Sequence, residues 1–267
     1  MTPSRTAVRT RTGRLVVVGC GTVVPEADRA CSCYWLESGP VRALLDCGPG
    51  LLQAMARLGL PWASITDIVL THFHADHAGG LPGLMFTLSK GLLPEVREEP
   101  LDVWGPPGTR LLLERLADAY GEFVLAPGFQ LRVHDLAPGA EATLGAAVEL
   151  RTLRVPHTEA SQALRLASGL GVVAFTGDTG PCQDLPAFAA GADLLICECS
   201  LPDSHAIDTH LSPGSVGPLA AAARPGLLLL THVYPQFRTR ADIPALVRAS
   251  GWDGPIEMAR EGWTFSA

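Results

Sequence analysis

Lysine is nearly missing from this chain: Lys90 is the only one in 267 residues, and 20 basic against 27 acidic side chains leave a formal net charge of −7. Nucleic-acid backbones are gripped by clustered lysine and arginine. The arginines here are scattered, which argues against a general nucleic-acid-binding surface, and extended nucleic acid is not an expected partner. Long apolar runs are also missing. None approaches the roughly 20 residues of a membrane-spanning helix, which argues against a membrane protein. Residues 1–14 hold Arg5, Arg9, Arg11 and Arg14 and no acid, faintly like a targeting segment. The apolar stretch from Leu15 is broken by Gly19 and Gly21, however, and reads as a first strand rather than a signal core. Residues 1–13 are therefore expected to be a flexible terminus and the protein cytoplasmic. Seven cysteines are an odd number without a disulfide framework's spacing. Two Cys-x-Cys pairs, Cys31/Cys33 and Cys197/Cys199, are closer than zinc ligands usually stand, and residues two apart on a strand share a face; buried small thiols are the simpler reading, a structural zinc site the alternative.

What is present is apolar and punctuated: 47% hydrophobic and 18% charged residues can fill one large core, here residues 14–267 as a single domain. Apolar patterning predicts strands at 14–19, 34–36, 41–46, 101–104, 131–133, 148–155, 162–166 and 172–176, and helices at 51–58, 80–90 and 108–120. Helices and strands then alternate to the end. No low-complexity linker or short repeat appears.

The densest chemistry follows the apolar run Ile68-Val69-Leu70. Residues 71–80 read Thr-His-Phe-His-Ala-Asp-His-Ala-Gly-Gly, placing His72, His74, Asp76 and His77 within six positions. In a tight turn, His72 and His74 can share one ion while Asp76 and His77 face another. Imidazole with carboxylate suits zinc, manganese or ferrous iron. Three further apolar runs end in a ligand type, at His157, Asp178 and His232. Sites in layered α/β proteins gather outside strand termini, so these ends are expected to converge. The dipeptide Thr-His occurs at two of them, Thr71-His72 and Thr231-His232, suggesting two related halves.

His-x-His-x-Asp-His followed by separate His, Asp and His resembles the metallo-β-lactamase fold superfamily, over nearly the whole chain. The resemblance implies a four-layer αββα sandwich. It implies two divalent metal ions, most simply Zn²⁺, with Mn²⁺ or Fe²⁺ as alternatives. His72, His74 and His157 would hold one, Asp76, His77 and His232 the other, with Asp178 bridging.

Glu198, then Thr209-His210-Leu211-Ser212 and an Ala-rich helix before Leu-Leu-Thr-His, resembles the branch containing ribonuclease Z and its phosphodiesterase relatives. Gly19-Cys20-Gly21-Thr22 and Leu45-Asp46-Cys47-Gly48 fit the same branch. There the extra histidine acts on the scissile phosphate, a role carried to His210, with Asp76 and Glu198 as further catalytic candidates. Asp46 would instead hold a ligating histidine by its free N–H. In ribonuclease Z an arm that grips transfer RNA lies between the third-motif histidine and the bridging aspartate. Here His157 and Asp178 are 21 residues apart, too few for an arm. The expectation is a dinuclear metal-dependent phosphodiesterase acting on small or cyclic phosphodiesters through a metal-bridging hydroxide. Its partner would be a small anionic ester, with Phe86, Tyr120, Phe123 and Phe129 as candidate pocket walls. Arylsulfate, lactone or thioester hydrolysis on the same site is the alternative, and a homodimer is common in that branch.

Overall fold

In the computed structural model, residues 12–266 are described; the expectation of a flexible terminus falls largely outside them, although Thr12 is tied by its N–H to the Gly169 carbonyl. Two seven-stranded sheets stack face to face. The first contains β1 (Arg14–Gly19), β2 (Cys33–Ser38), β3 (Val41–Leu45), β4 (Asp67–Val69), β5 (Leu101–Gly105) and β6 (Leu131–Asp135) in sequence order, with β14 (Thr264–Ser266) returning beside β1. The second runs β7 (Glu141–Leu144), β8 (Val148–Arg154), β9 (Gln162–Ser168), β10 (Gly171–Phe175), β11 (Leu194–Glu198), β12 (Leu227–Thr231) and β13 (Ile256–Met258).

Side-chain alternation builds the layers. Leu15 and Val17 of β1 face the inter-sheet core, where they meet Leu164, Phe175, Ile196 and Leu229. Val16 and Val18 face outward with Trp35 and Ile68 onto the first sheet's helices. These are α1 (Leu51–Arg57), α3 (Leu81–Lys90) and α4 (Thr109–Tyr120); the short α2 (Ala75–Ala78) precedes α3. Across the molecule, Leu195, Leu228 and Leu230 pack on α5 (Leu185–Phe188), α6 (Pro213–Ala223), α7 (Pro235–Arg238) and α8 (Ile243–Ala249). Strands buried on both faces read as continuous apolar runs, which is why they stood out in the sequence. The result is the four-layer αββα sandwich.

Each half opens with an antiparallel meander and continues with parallel strands: β1-β2-β3 then β4-β5-β6, and β8-β9-β10 then β11-β12-β13. The halves are thus alike in topology, but the two Thr-His dipeptides do not correspond. Thr71-His72 follows β4, whose counterpart is β11, whereas Thr231-His232 closes β12. Among the described residues, no helix is long and apolar enough to cross a membrane.

The cysteines are free, and the two Cys-x-Cys pairs lie apart: Cys33 is buried under the first sheet's helices, Cys197 and Cys199 under the second's. Burial pushes all three thiols up, consistent with the buried-thiol reading.

Candidate metal centre

Six of the eight histidines converge at one end of the sandwich. The turn after β4 presents His72, and His74 caps α2, which carries Asp76 and His77. His157 stands in the turn after β8, Asp178 after β10, His210 ahead of α6 and His232 after β12. Among the described residues, four overlapping groups have donor atoms within 4.8 Å of one another: His72/His74/His157, His72/His77/Asp178, Asp76/His77/His232 and His157/Asp178/His210. Asp178 is central. Its Oδ2 lies 3.3 Å from His77 Nε2, 3.5 Å from His232 Nε2, 3.8 Å from His157 Nε2 and 4.0 Å from His72 Nε2.

The backs of the rings are anchored so that their fronts are free. Asp46, fully buried, accepts from Thr71 N–H at 2.8 Å, Thr71 Oγ1 at 2.9 Å, Ser32 Oγ at 3.0 Å and His77 Nδ1 at 2.6 Å. Since the Thr71 hydroxyl is spent on Asp46, its oxygen receives the proton of His72 Nδ1 at 3.1 Å. His157 Nδ1 donates to the Thr209 carbonyl at 2.8 Å, and His232 Nδ1 to Ser200 Oγ at 3.1 Å. Each of these contacts turns Nε2 to the centre, where its lone pair can serve a metal, the arrangement in which outer partners fix ligating imidazoles. Asp46 and His232 adopt φ of 60° and 51°, a left-handed backbone that non-glycine residues enter at a cost, and both stand at this site.

The arrangement fits divalent metal. His157 Nε2 and His74 Nδ1 are 3.0 Å apart, and His77 Nε2 and His232 Nε2 are 3.3 Å apart. Two ligands at zinc–nitrogen bond lengths on a tetrahedral ion stand about 3.3 Å apart. His72 Nε2 and Asp178 Oδ1 are buried with no hydrogen-bond partner, an arrangement a cation would complete. Without one, the charges strain against each other. Burial drives His72 well below the ordinary imidazole range. Burial opposes charge on His77 too, but Asp178 and Asp46 hold it well above that range. Burial likewise disfavours ionised Asp178 and Asp76, yet His232 and His77 hold Asp178 well below the carboxylate range and bring Asp76 down to about 2.

Glu198 lies behind His210. Named as catalytic, it is fully buried and both its oxygens are occupied: Thr179 N–H at 2.7 Å and His210 Nδ1 at 3.0 Å on one, Ser200 Oγ at 2.6 Å and Leu211 N–H at 3.1 Å on the other. Its contacts are all within the protein, one of them to His210. His210 remains partly exposed, its ring 4.8 Å from that of His157 and stacked 5.9 Å from His232. Burial opposes its protonation, but the bond to Glu198 raises it above the ordinary range. A donor atom of His210 is also near enough to those of His157 and Asp178 to share a cation with them.

Phe86 and Phe123 meet edge to face at 5.0 Å on the outer helical layer, and Phe129 lies under Arg97. Tyr120 ends α4, a 12-residue helix about 18 Å long that begins beside Phe73. The interval from His157 to Asp178 is filled by β9 and β10, antiparallel and joined by a two-residue turn. Sequence reasoning missed Ser200 and the Thr209 carbonyl. Cys-Glu-Cys-Ser at a strand end was a signal for the first; a backbone oxygen brought in by another loop leaves none.

A family model described as a beta-lactamase superfamily domain matches residues 41–233. The uncharacterized protein Rv1339 of Mycobacterium tuberculosis is 34% identical over 247 residues, 91% of this chain and 88% of its own. A ribonuclease Z of Mycobacterium bovis is 30% identical over 244 residues, 83% of this chain and 86% of its own. Among solved structures, the metallo-beta-lactamase fold protein YhfI from Bacillus subtilis aligns with a TM-score of 0.84 at 24% identity, covering 96% of this chain and all of that one.

Proposed function

This chain belongs to the beta-lactamase superfamily, and on that premise we propose that it is a metal-dependent phosphodiesterase acting on small or cyclic phosphodiesters. The observation that carries the reading is His210, an imidazole held by a buried carboxylate at the open edge of the ligand cluster. His72, His74 and His157 would hold one divalent ion, Asp76, His77 and His232 a second, with Asp178 shared. Zn²⁺ suits the donor set best. Such ions supply a water whose pKa falls toward about 7 and a positive field for the phosphoryl oxygens.

The chain's own groups do the rest. Asp76, ionised, accepts the proton of the attacking water at its carboxylate. Glu198 stabilises positive charge on His210 and aims its free nitrogen into the cleft, where it gives a proton to the departing alkoxide. The Mycobacterium bovis relative's name, ribonuclease Z, supports phosphodiester chemistry. The β9–β10 hairpin, too short for an RNA-gripping arm, together with the acidic composition supports a small substrate instead.

His210→Ala tests the reading. The variant is expected to keep its bound metal while kcat for phosphodiesters with alkoxide leaving groups falls by roughly 10² to 10⁴, and by less with a p-nitrophenolate leaving group that needs no proton. Loss of metal from the variant would make His210 a ligand instead. Faster hydrolysis of lactones or thioesters than of any phosphodiester by the wild type would move the activity to carboxylic esters.

A further inference from the structure

A cavity of about 260 Å³ opens beside the ligand cluster, and none of the groups assigned to the reaction lines it. Both of its walls touch the turn that bears His72 and His74. On one side Gln162 donates from its backbone to the Thr71 carbonyl and from Nε2 to the Leu70 carbonyl, each at 3.0 Å. On the other, the loop of Pro106 and Pro107 leads to Gly108, where an added Cβ would stand 3.3 Å from the Phe73 ring. Arg154, in the wall, is three residues from His157, a span of at most about 10 Å. Glu159, also in the wall, follows His157 by two.

The lining is specific about what it can accept. Ser161 is already engaged with the N–H and hydroxyl of Thr158. The side chains of Arg154 and Glu159 form no hydrogen bond or ion pair with any described residue, or with each other. A second phosphate would suit Arg154 but meet the charge of Glu159. A purely apolar group would suit the proline rings but would use neither of these charges, which are exposed and free to exchange water for a polar ligand. A planar heterocycle with acceptors on one edge and donors on the next satisfies all three features. Guanine has that pattern: O6 and N7 match the guanidinium fork, and its N1 and N2 hydrogens suit a carboxylate.

We propose that this cavity receives the guanine base of a nucleotide phosphodiester whose phosphate lies at the histidine–aspartate cluster; the assignment rests on the phosphodiesterase reading above. The metal-loaded, full-length protein is assayed with the 3′,5′-cyclic phosphates of guanosine, adenosine, cytidine and uridine, and with bis(p-nitrophenyl) phosphate, which carries no base. The guanosine ester is expected to lead the other nucleotides in kcat/KM by on the order of tenfold. Arg154→Ala should lower the ratio of the guanosine ester to bis(p-nitrophenyl) phosphate by a similar factor, and Glu159→Gln should erode the preference for guanosine over adenosine. Four cyclic nucleotides within about twofold of one another, or a ratio that Arg154→Ala leaves where it was, would overturn the assignment alone. A wild type that hydrolyses no phosphodiester would overturn the reading beneath it. Calorimetric titration with guanosine 5′-monophosphate then decides the cavity separately: binding weakened by Arg154→Ala supports it, and no binding overturns it.

Discussion

Asp46 and Glu198 are both fully buried, and each gathers four hydrogen-bond donors, one group of donors in each half of the molecule. Replacing either by its amide keeps the shape but turns one acceptor oxygen into a donor facing donors. Asp46→Asn allows the His77 proton to move to Nε2, the nitrogen that faces the cluster. Metal affinity is expected to weaken by about 10- to 100-fold, read by competition with a chelator of known strength. Glu198→Gln strikes elsewhere. It leaves backbone donors of Thr179 and Leu211 competing for one oxygen, so the urea midpoint should fall by an amount equivalent to about 1 to 3 kcal/mol, with metal content far less affected than in Asp46→Asn. Equal metal loss in both variants would mean the two carboxylates do not divide their roles in this way.

The turns that join strands to the site are packed backbone on backbone. A Cβ on Gly180 would stand 1.7 Å from the Asp208 carbonyl oxygen, so Gly180→Ala must push away the loop whose Thr209 carbonyl orients His157 and whose His210 faces the cleft. Lower kcat with secondary structure intact by circular dichroism is the expected result. Unaltered kcat would show that this loop adjusts freely. Such contacts were not legible in the sequence, since a glycine's neighbours depend on which loops meet. Strand ends bearing His72, Asp178 and His232 were legible, because buried strands leave apolar runs and a polar ligand type closes each one; β8, ahead of His157, alternates buried and exposed residues and left a weaker mark. β7 left no such mark: it is a four-residue edge strand of which only Leu144 is buried. β14 is shorter still, with no buried residue. The Arg154–Glu159 cavity was also invisible, being made by apposition of the loop after β5 with the loop after β8.

For the whole molecule, the cluster is a source of stability conditional on metal. Without a cation, His72 Nε2 and Asp178 Oδ1 stay unpartnered in the interior. A ligand at a hundredfold its Kd adds about 2.7 kcal/mol, and each kcal/mol moves Tm by about 2 to 4 °C in a domain somewhat smaller than this one. Chelation should therefore lower Tm by roughly 5 to 10 °C, restored by zinc or manganese, in calorimetric scans at fixed protein concentration. An unchanged Tm would mean the ions bind too weakly to matter to the fold. The same cluster draws His72, His74, Asp76 and His77 from the first half and His157, Asp178 and His232 from the second, across the shared inter-sheet core. A nascent chain that has cleared the ribosome only as far as β6 holds four of these seven groups and lacks the shared aspartate. Metal loading is thereby expected to wait until synthesis is nearly complete, and two co-expressed fragments parted between β6 and β7 should capture metal only as a pair.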